Sequence, residues 1–313
     1  MGQNHMRVIS SLPGSSLIGY LDPYNEAPGN AAKRYSSLSE LIAAKPDYCV
    51  IAAPTVSHEE IALELISNGI NFLVEKPLAH NAEAAFAIAK KATERNVKGC
   101  VGHVERFNSA VKEAKKRIRE GQLGEIYQIS TSRQGPFPAR ISDVGVVKDL
   151  ATHDIDLTTW LSGSSYESVS AQSVHRSGRE HEDMISVSAR MKNGIIVNHN
   201  VNWLSPRKIR QVVIIGEKGL LEIDLLSADL LFYANGVHKN EYKEIAHFKG
   251  VSQGDVVKYS FNRVEPLLTE HLEFQLFLQE LASDTVSLAE GVEILKVADG
   301  SLRSQISQQL VNL

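Results

Sequence analysis

The chain is expected to be α/β, with a parallel-sheet domain over residues 1–103. An α+β domain follows over residues 104–313, with a largely antiparallel, open-faced sheet. Three observations predict this. The 313 residues exceed one ordinary domain. The first hundred alternate short apolar runs with helical stretches. Beyond about residue 104, strand-like runs succeed one another through tight turns.

The apolar runs at 17–21, 48–53, 70–74 and 97–101 read as strands of the first domain. Helices fit between them. Ser57 and Glu60 form a capping-box pattern ahead of Ile61, Leu65 and Ile66. Gly69 stands at a helix C-cap, and Asn81 caps an Ala-rich helix running to about Asn96. Each crossover is long enough for a right-handed βαβ unit. In the second domain a helix spans 109–120 and stops at Gly121. Strands follow at 126–132, 184–191, 195–203, 212–215, 220–223 and 230–233. Lys192-Asn193-Gly194 and Glu217-Lys218-Gly219 supply turns. Helices at 266–281 and 288–310 close the chain.

Composition excludes several classes. Lys+Arg is 33 and Asp+Glu 37, for a net charge of -4, which leaves no electrostatic footprint for nucleic acid. The densest basic stretch, 112–119, is interleaved with glutamates and reads as a solvated helix face. No apolar run approaches a membrane span, and the start lacks a signal pattern, so a cytoplasmic protein is expected. Cys49 and Cys100 sit in apolar strand-like runs and read as buried free thiols. No cysteine pair has zinc spacing, and His153, Asp154 and Asp156 do not converge on a helix. No metal is expected.

A dinucleotide-binding fold normally opens with a strand and a glycine-rich turn whose N–H groups hold a pyrophosphate. Here Met1-Gly2-Gln3-Asn4-His5 runs straight into helix-like residues 6–12, and a strand ends at Asp22. About twenty residues separate the fingerprint glycines from a ribose-binding carboxylate, so Gly2 reads as the third glycine of a fingerprint lacking its first two and their strand. Such a strand is central, and its loss leaves backbone groups on both neighbours to be satisfied. An upstream start, closing up of the neighbours, or filling by another segment are the three outcomes open.

Two motifs carry chemistry. Glu75-Lys76-Pro77 follows an apolar strand, where ligands bind in open α/β sheets. A lysine there can help move the proton of a reacting hydroxyl; its other reading is an exposed loop lysine. Asp149 and His153 are four apart and share a helical face. A carboxylate beside an imidazole orients it and raises its basicity, though such pairs are also common in ordinary helices.

Together these stretches resemble the glucose–fructose oxidoreductase / inositol dehydrogenase / rhizopine catabolism (Gfo/Idh/MocA) family over essentially the whole chain. The likeness rests on Leu21-Asp22-Pro23, Ile51-Ala52-Ala53-Pro54-Thr55 with His58, Glu75-Lys76-Pro77, Gly102-His103-Val104-Glu105-Arg106-Phe107-Asn108, and Asp149 with His153. It implies a Rossmann-type first domain, and Lys76, Asp149 and His153 as catalytic, with the principal base shared between Lys76 and His153. It implies NAD, held by Gly2, Asn4, Asp22, Ala53, Pro54, Thr55, His58, Glu75 and Lys76. The Asp22 carboxylate would repel the extra phosphate of NADP. Residues 133–145, with Asn202-Trp203-Leu204, look like the members that oxidise UDP-N-acetylglucosamine at C3. Arg133 and Arg140 could pair with a diphosphate, and His103, Glu105 and Asn202 could line a substrate cleft. A connecting loop with two solvated arginines is the other reading.

The function this implies is oxidation of a secondary sugar hydroxyl, at C3 of a UDP-N-acetylhexosamine. A free sugar or inositol is the alternative substrate. A non-catalytic sugar-nucleotide-binding protein with impaired cofactor binding is the alternative class. The family further implies a homodimer or homotetramer.

Overall fold

The computed structural model describes residues 1–24, 32–138, 144–236 and 252–313. Along the chain run α1 (Gly2–Ser11), β1 (Gly19–Tyr20), β2 (Lys33–Arg34), α2 (Leu38–Ala43), β3 (Tyr48–Ile51), α3 (His58–Ser67), β4 (Asn71–Glu75), α4 (Ala82–Arg95) and β5 (Gly99–Gly102). Then come α5 (Ser109–Arg119), β6 (Ile126–Pro136), α6 (Thr152–Ser162), β7 (Tyr166–Val174), β8 (Met184–Met191), β9 (Ile196–Asn202), β10 (Leu204–Gly216), β11 (Gly219–Asp224), β12 (Asp229–Gly236) and β13 (Ser252–Lys258). The chain closes with α7 (Pro266–Leu278), β14 (Val286–Ser287), α8 (Leu288–Ser307) and β15 (Val311–Asn312). No helix of the described residues is long and apolar enough to cross a membrane.

Two compact units result. The first is built mainly from Met1–Phe107 and Val264–Asp299. The second is built mainly from Gly145–Arg263, with Asn108–Arg140 and Gly300–Leu313. A helix that the sequence places beyond residue 104, α7, thus packs into the first unit.

The first unit holds a four-stranded sheet, in which β3, β4 and β5 are parallel and β14 pairs antiparallel with β5. The centre of its inner strand β4 is apolar, as expected where both faces are covered: Phe72, Leu73 and Val74 are fully buried. Ala62, Leu65 and Ile66 of α3 and Ala85 and Ile88 of α4 are buried with them. Leu73, Cys100 and Phe274 of α7 form one cluster, rimmed by Tyr48, Val50, Phe277 and Leu278. Strands β1 and β2 form a separate parallel pair. The neighbours of the expected first strand therefore do not close into one sheet, and no strand among the described residues joins them.

Local signals have mixed outcomes. Asn81 caps α4, its side chain accepting the Ala84 N–H at 2.8 Å. Gly69, at φ +71°, ends α3 where a side chain would be strained, with the Ile70 N–H donated to the Leu65 carbonyl. The capping box at Ser57 does not form. A 3₁₀ turn, Thr55–Ser57, leads directly into α3, so Ser57 already has helical backbone angles.

The second unit is a nine-stranded sheet in the order β13-β12-β11-β10-β6-β9-β8-β7-β15. All neighbours are antiparallel except β6 and β9, which are parallel. One face is buried: Ile185, Val187, Ala189 and Met191 of β8 alternate with exposed residues. Helices α5 and α6 contact this sheet, α5 over β11 and β12 and α6 over β6. The other face carries polar pairs such as Gln128 with Asn198 at 2.7 Å and Ser186 with Asn200 at 3.2 Å. Strands β7, β13 and β15 were not anticipated from the sequence.

Candidate active site

In the first unit, most of the residues singled out above lie at or just beyond strand ends. Asp22 follows β1, and its Oδ1 accepts the Tyr24 N–H at 2.9 Å, an Asx turn that fixes the carboxylate. Ala53, Pro54 and Thr55 form the turn after β3. His58, expected to line the cofactor, straps this turn to the next. Its Nδ1 lies 2.9 Å from the Pro77 carbonyl oxygen and its Nε2 3.0 Å from that of Ala53. Both ring nitrogens face main-chain oxygens, so the ring holds the two turns together. Gly2 opens α1, and a Cβ built there would meet nothing closer than the Ala52 Cβ at 3.9 Å. Asn4 is exposed on the same helix.

Glu75, at the end of β4, is 7% exposed. Its Oε1 accepts from His5 Nε2 at 2.8 Å, and His5 Nδ1 lies 2.9 Å from His271 Nε2. A carboxylate only accepts, so His5 Nε2 carries the proton. Burial pushes the Glu75 carboxyl up. The hydrogen bond and charge of His5, with Lys76 and the Met1 amine, outweigh burial and hold it below the ordinary range. Burial pushes His271 down to about 4, so that ring is neutral at pH 7. Lys76 is half-buried beside this anchored carboxylate. His103, just beyond β5, is also buried; burial first, then Arg106 and Lys76, push it down to about 3. Glu105 is half-buried in the 3₁₀ turn Val104–Phe107.

In the second unit, Val147–Ala151 wind as a π-helical turn that runs into α6. Such widened turns recur at functional sites. Asp149 lies in the turn, buried, and His153 in the first turn of α6, half-buried. Asp149 and His153 thus lie on consecutive turns of one continuous helical segment.

The arginine reading changes. The Arg133 side chain is 3% exposed, and its Nε donates to Asp154 Oδ1 at 2.8 Å. The guanidinium is thus held in the interior against Asp154. Burial pushes the Asp154 carboxyl up, against the pull of Arg133. Nearby, His199 Nδ1 meets the Thr131 hydroxyl at 2.7 Å and its Nε2 the Tyr166 hydroxyl at 2.8 Å. Asn202 uses its Oδ1 to accept the Leu204 and Ser205 N–H groups, so it shapes the bend into β10. Arg140 lies outside the described residues.

Sequence reasoning missed His5, His271 and Glu182. Histidines scattered 266 positions apart carry no local signal. Glu182 had one: an acidic pair, Glu182-Asp183, just ahead of β8.

A carboxylate after the short strand β1, a lysine after an anchored glutamate at the end of β4 of the parallel sheet, and in the same chain an Asp and a His on one helical segment point to a dinucleotide-dependent oxidoreductase. Comparison with known families narrows the class. Residues 1–103 match the model described as "Oxidoreductase family, NAD-binding Rossmann fold", and residues 111–222 match the "GFO/IDH/MocA C-terminal domain". The chain belongs to the Gfo/Idh/MocA oxidoreductase family, and its cofactor is NAD. It is 27% identical over 241 residues to UDP-N-acetylglucosamine 3-dehydrogenase of Acidithiobacillus ferrooxidans, covering 75% of this chain and 74% of that one. It is 30% identical over 182 residues to scyllo-inositol 2-dehydrogenase of Bacillus subtilis, covering 54% and 53%. In fold it is similar to the WlbA dehydrogenase of Bordetella pertussis, solved with NADH and UDP-GlcNAcA. That match has a TM-score of 0.83 at 23% identity and covers 100% of this chain and 94% of that one.

The donor set of the first unit fits NAD. Asp22, its carboxylate fixed by the Asx turn, and the N–H groups of the N-terminal turn of α1 are the groups that would hold its hydroxyls and phosphates. Lys76 follows a buried, hydrogen-bonded glutamate.

Proposed function

We propose that this enzyme oxidises a secondary hydroxyl of a sugar, most concretely C3 of a UDP-N-acetylhexosamine, giving a 3-keto sugar. The Asp149–His153 pair at the head of α6 carries this reading. The match to a UDP-N-acetylglucosamine 3-dehydrogenase over three quarters of the chain supports it. Oxidising the alcohol removes the O–H proton and, with its electron pair, the hydrogen on carbon. NAD, when bound, takes that hydrogen with its two electrons. The protein's task is the proton. His153, with Asp149 one helical turn before it, and Lys76 are the groups assigned to it.

The test is turnover of UDP-N-acetylglucosamine followed by NADH absorbance. Lys76→Met and His153→Gln should each lower kcat by about 10²–10⁴, the usual worth of general acid–base catalysis. NADH binding, followed by its fluorescence, should survive His153→Gln. Full activity in both variants would overturn the assignment.

A second reading keeps the chemistry and takes a free sugar or inositol. Arg133 favours it, since its burial against Asp154 removes one of two cations that a diphosphate would use. Comparing kcat/KM for UDP-N-acetylglucosamine and for inositols separates the two. We infer a homo-oligomer, with the polar open face of the nine-stranded sheet as its interface, to be checked by light scattering.

A further inference from the structure

We propose that Glu182 is a positioning residue that sets the π-helical turn carrying Asp149, and that Gly145 is glycine to let it do so. The inference rests on the assignment of Asp149 and His153 to the chemistry.

The first turn of any helix leaves N–H groups without intrahelical partners, and a carboxylate there is favoured by both hydrogen bonding and the helix dipole. Here it comes from a distant part of the sequence. Glu182 is 6% exposed, and its Oε1 accepts the Val147 N–H at 2.9 Å. Its main-chain carbonyl accepts the Val146 N–H at 3.1 Å. Two consecutive amides at the start of the turn are therefore tied to one residue. Two positions on, the Asp149 N–H is donated to the Gly145 carbonyl at 3.1 Å.

Glu182 is itself held by the sheet. Its neighbour Asp183 donates its N–H to the Val174 carbonyl, and its carbonyl accepts the Trp203 N–H, both at 2.9 Å. The Asp183 carboxylate accepts the Arg176 and Ser177 N–H groups at 2.6 and 2.8 Å, and Arg179 pairs with it at 3.1 Å. Arg179 lies over the rings of Phe137 and Trp203. The position of Glu182 thus follows from β7, β8 and β9, not from a free loop.

Gly145 supplies an independent sign. A Cβ built on it would fall 2.1–2.3 Å from the Glu182 carboxylate, closer than any real contact. The chain passes so near the glutamate that a methyl group displaces one or the other. A support of this kind acts on rate, because placement of a proton-transfer group matters on the scale of 1 Å.

The experiment uses Glu182→Ala, Glu182→Gln, Gly145→Ala and the Gly145→Ala/Glu182→Ala double variant of the full chain. Hydrogen exchange of the peptide covering 144–153 is read without substrate. Faster exchange in Glu182→Ala and Gly145→Ala, and near wild-type protection in Glu182→Gln, whose amide oxygen can still accept, are expected. With whichever hydroxyl substrate the wild type turns over, Glu182→Ala and Gly145→Ala should lose about 10–100-fold in kcat, with KM changed less than about threefold. The double variant should be no worse than Glu182→Ala, because both changes strike one device. Unchanged exchange in the alanine variants overturns the proposal. So do multiplicative losses in the double variant, or kcat held within about twofold. If the wild type turns over no sugar, the proposed function fails while exchange still decides this inference.

Discussion

Replacing Arg133 with methionine would leave Asp154 buried without its partner. The two side chains are 3% and 2% exposed and 2.8 Å apart, so solvent screens little of their attraction. At an effective dielectric of about 20, charges at this distance attract by roughly 6 kcal/mol. Desolvation of both ions offsets much of that, and breaking one side of such a pair costs about 3–5 kcal/mol. In a folding unit of this size, 1 kcal/mol moves Tm by about 2–4 °C, so a fall of roughly 6–20 °C is expected. Both tryptophans, Trp160 and Trp203, lie in the same unit as the pair, so their fluorescence reports its unfolding selectively. The companion variant Arg133→Met/Asp154→Leu should recover most of the loss, since a buried pair replaced by apolar groups is often neutral. The deficit of the single variant should shrink toward pH 5. Without arginine the folded carboxyl titrates above its unfolded value, so the penalty is full at high pH and fades as the group protonates. An Arg133→Met variant within about 1 kcal/mol of wild type, but with KM for a sugar nucleotide raised tenfold, would refute this. It would return Arg133 to the substrate.

Acid should weaken the fold before it titrates carboxylates. His103 and His199 are held near 3 and His271 near 4, chiefly by burial. Their unfolded forms bind protons below about 6.5, so stability falls as pH drops from there toward 4. The urea midpoint should track this, and His199→Gln should flatten the slope by about a third. Asn81→Ala removes the cap of α4 and should cost about 1 kcal/mol in urea unfolding. Burial pushes both thiols up to about 12. Neither Cys49 nor Cys100 should react with a thiol reagent within minutes at pH 8, while both should in urea.

The fold class was legible because it rests on period. Alternation in β8 and the continuous apolar run of β4 state which faces are buried, and Asn81 and Gly69 mark helix ends by local geometry. Strand β13, with valines and a lysine at an exposed edge, has no such contrast, and β15 is too short for one. Ser57 misled because its box pattern is indifferent to the 3₁₀ turn before it. Lys76 in one unit, and Asp149 with His153 in the other, stood out as candidates because their signals are local. What supports them is not local. His271 reaches His5 across most of the chain, and Glu182 reaches Val147 from another element. The Asp154 partner of Arg133 was not legible because it is set by the sheet, and the loop of Gly and Pro beside Arg133 suggested exposure.

The first unit cannot finish its core from its own opening residues. Phe274 of α7 fills the cluster with Leu73 and Cys100, and β14 supplies the strand beside β5. On the ribosome, about 160 residues must therefore emerge between the last opening strand and the pieces that cover it. Until they do, the face of β4 and β5 that Phe274 covers has no lid, and its closure carries the entropy of a very long loop. The second unit, encoded almost wholly between those pieces, is free to fold first. Maturation of this enzyme should thus run from the middle of the chain outward. The half-made nucleotide-binding unit is the species that chaperones would meet, and its exposed strands are the surface most prone to aggregate during synthesis.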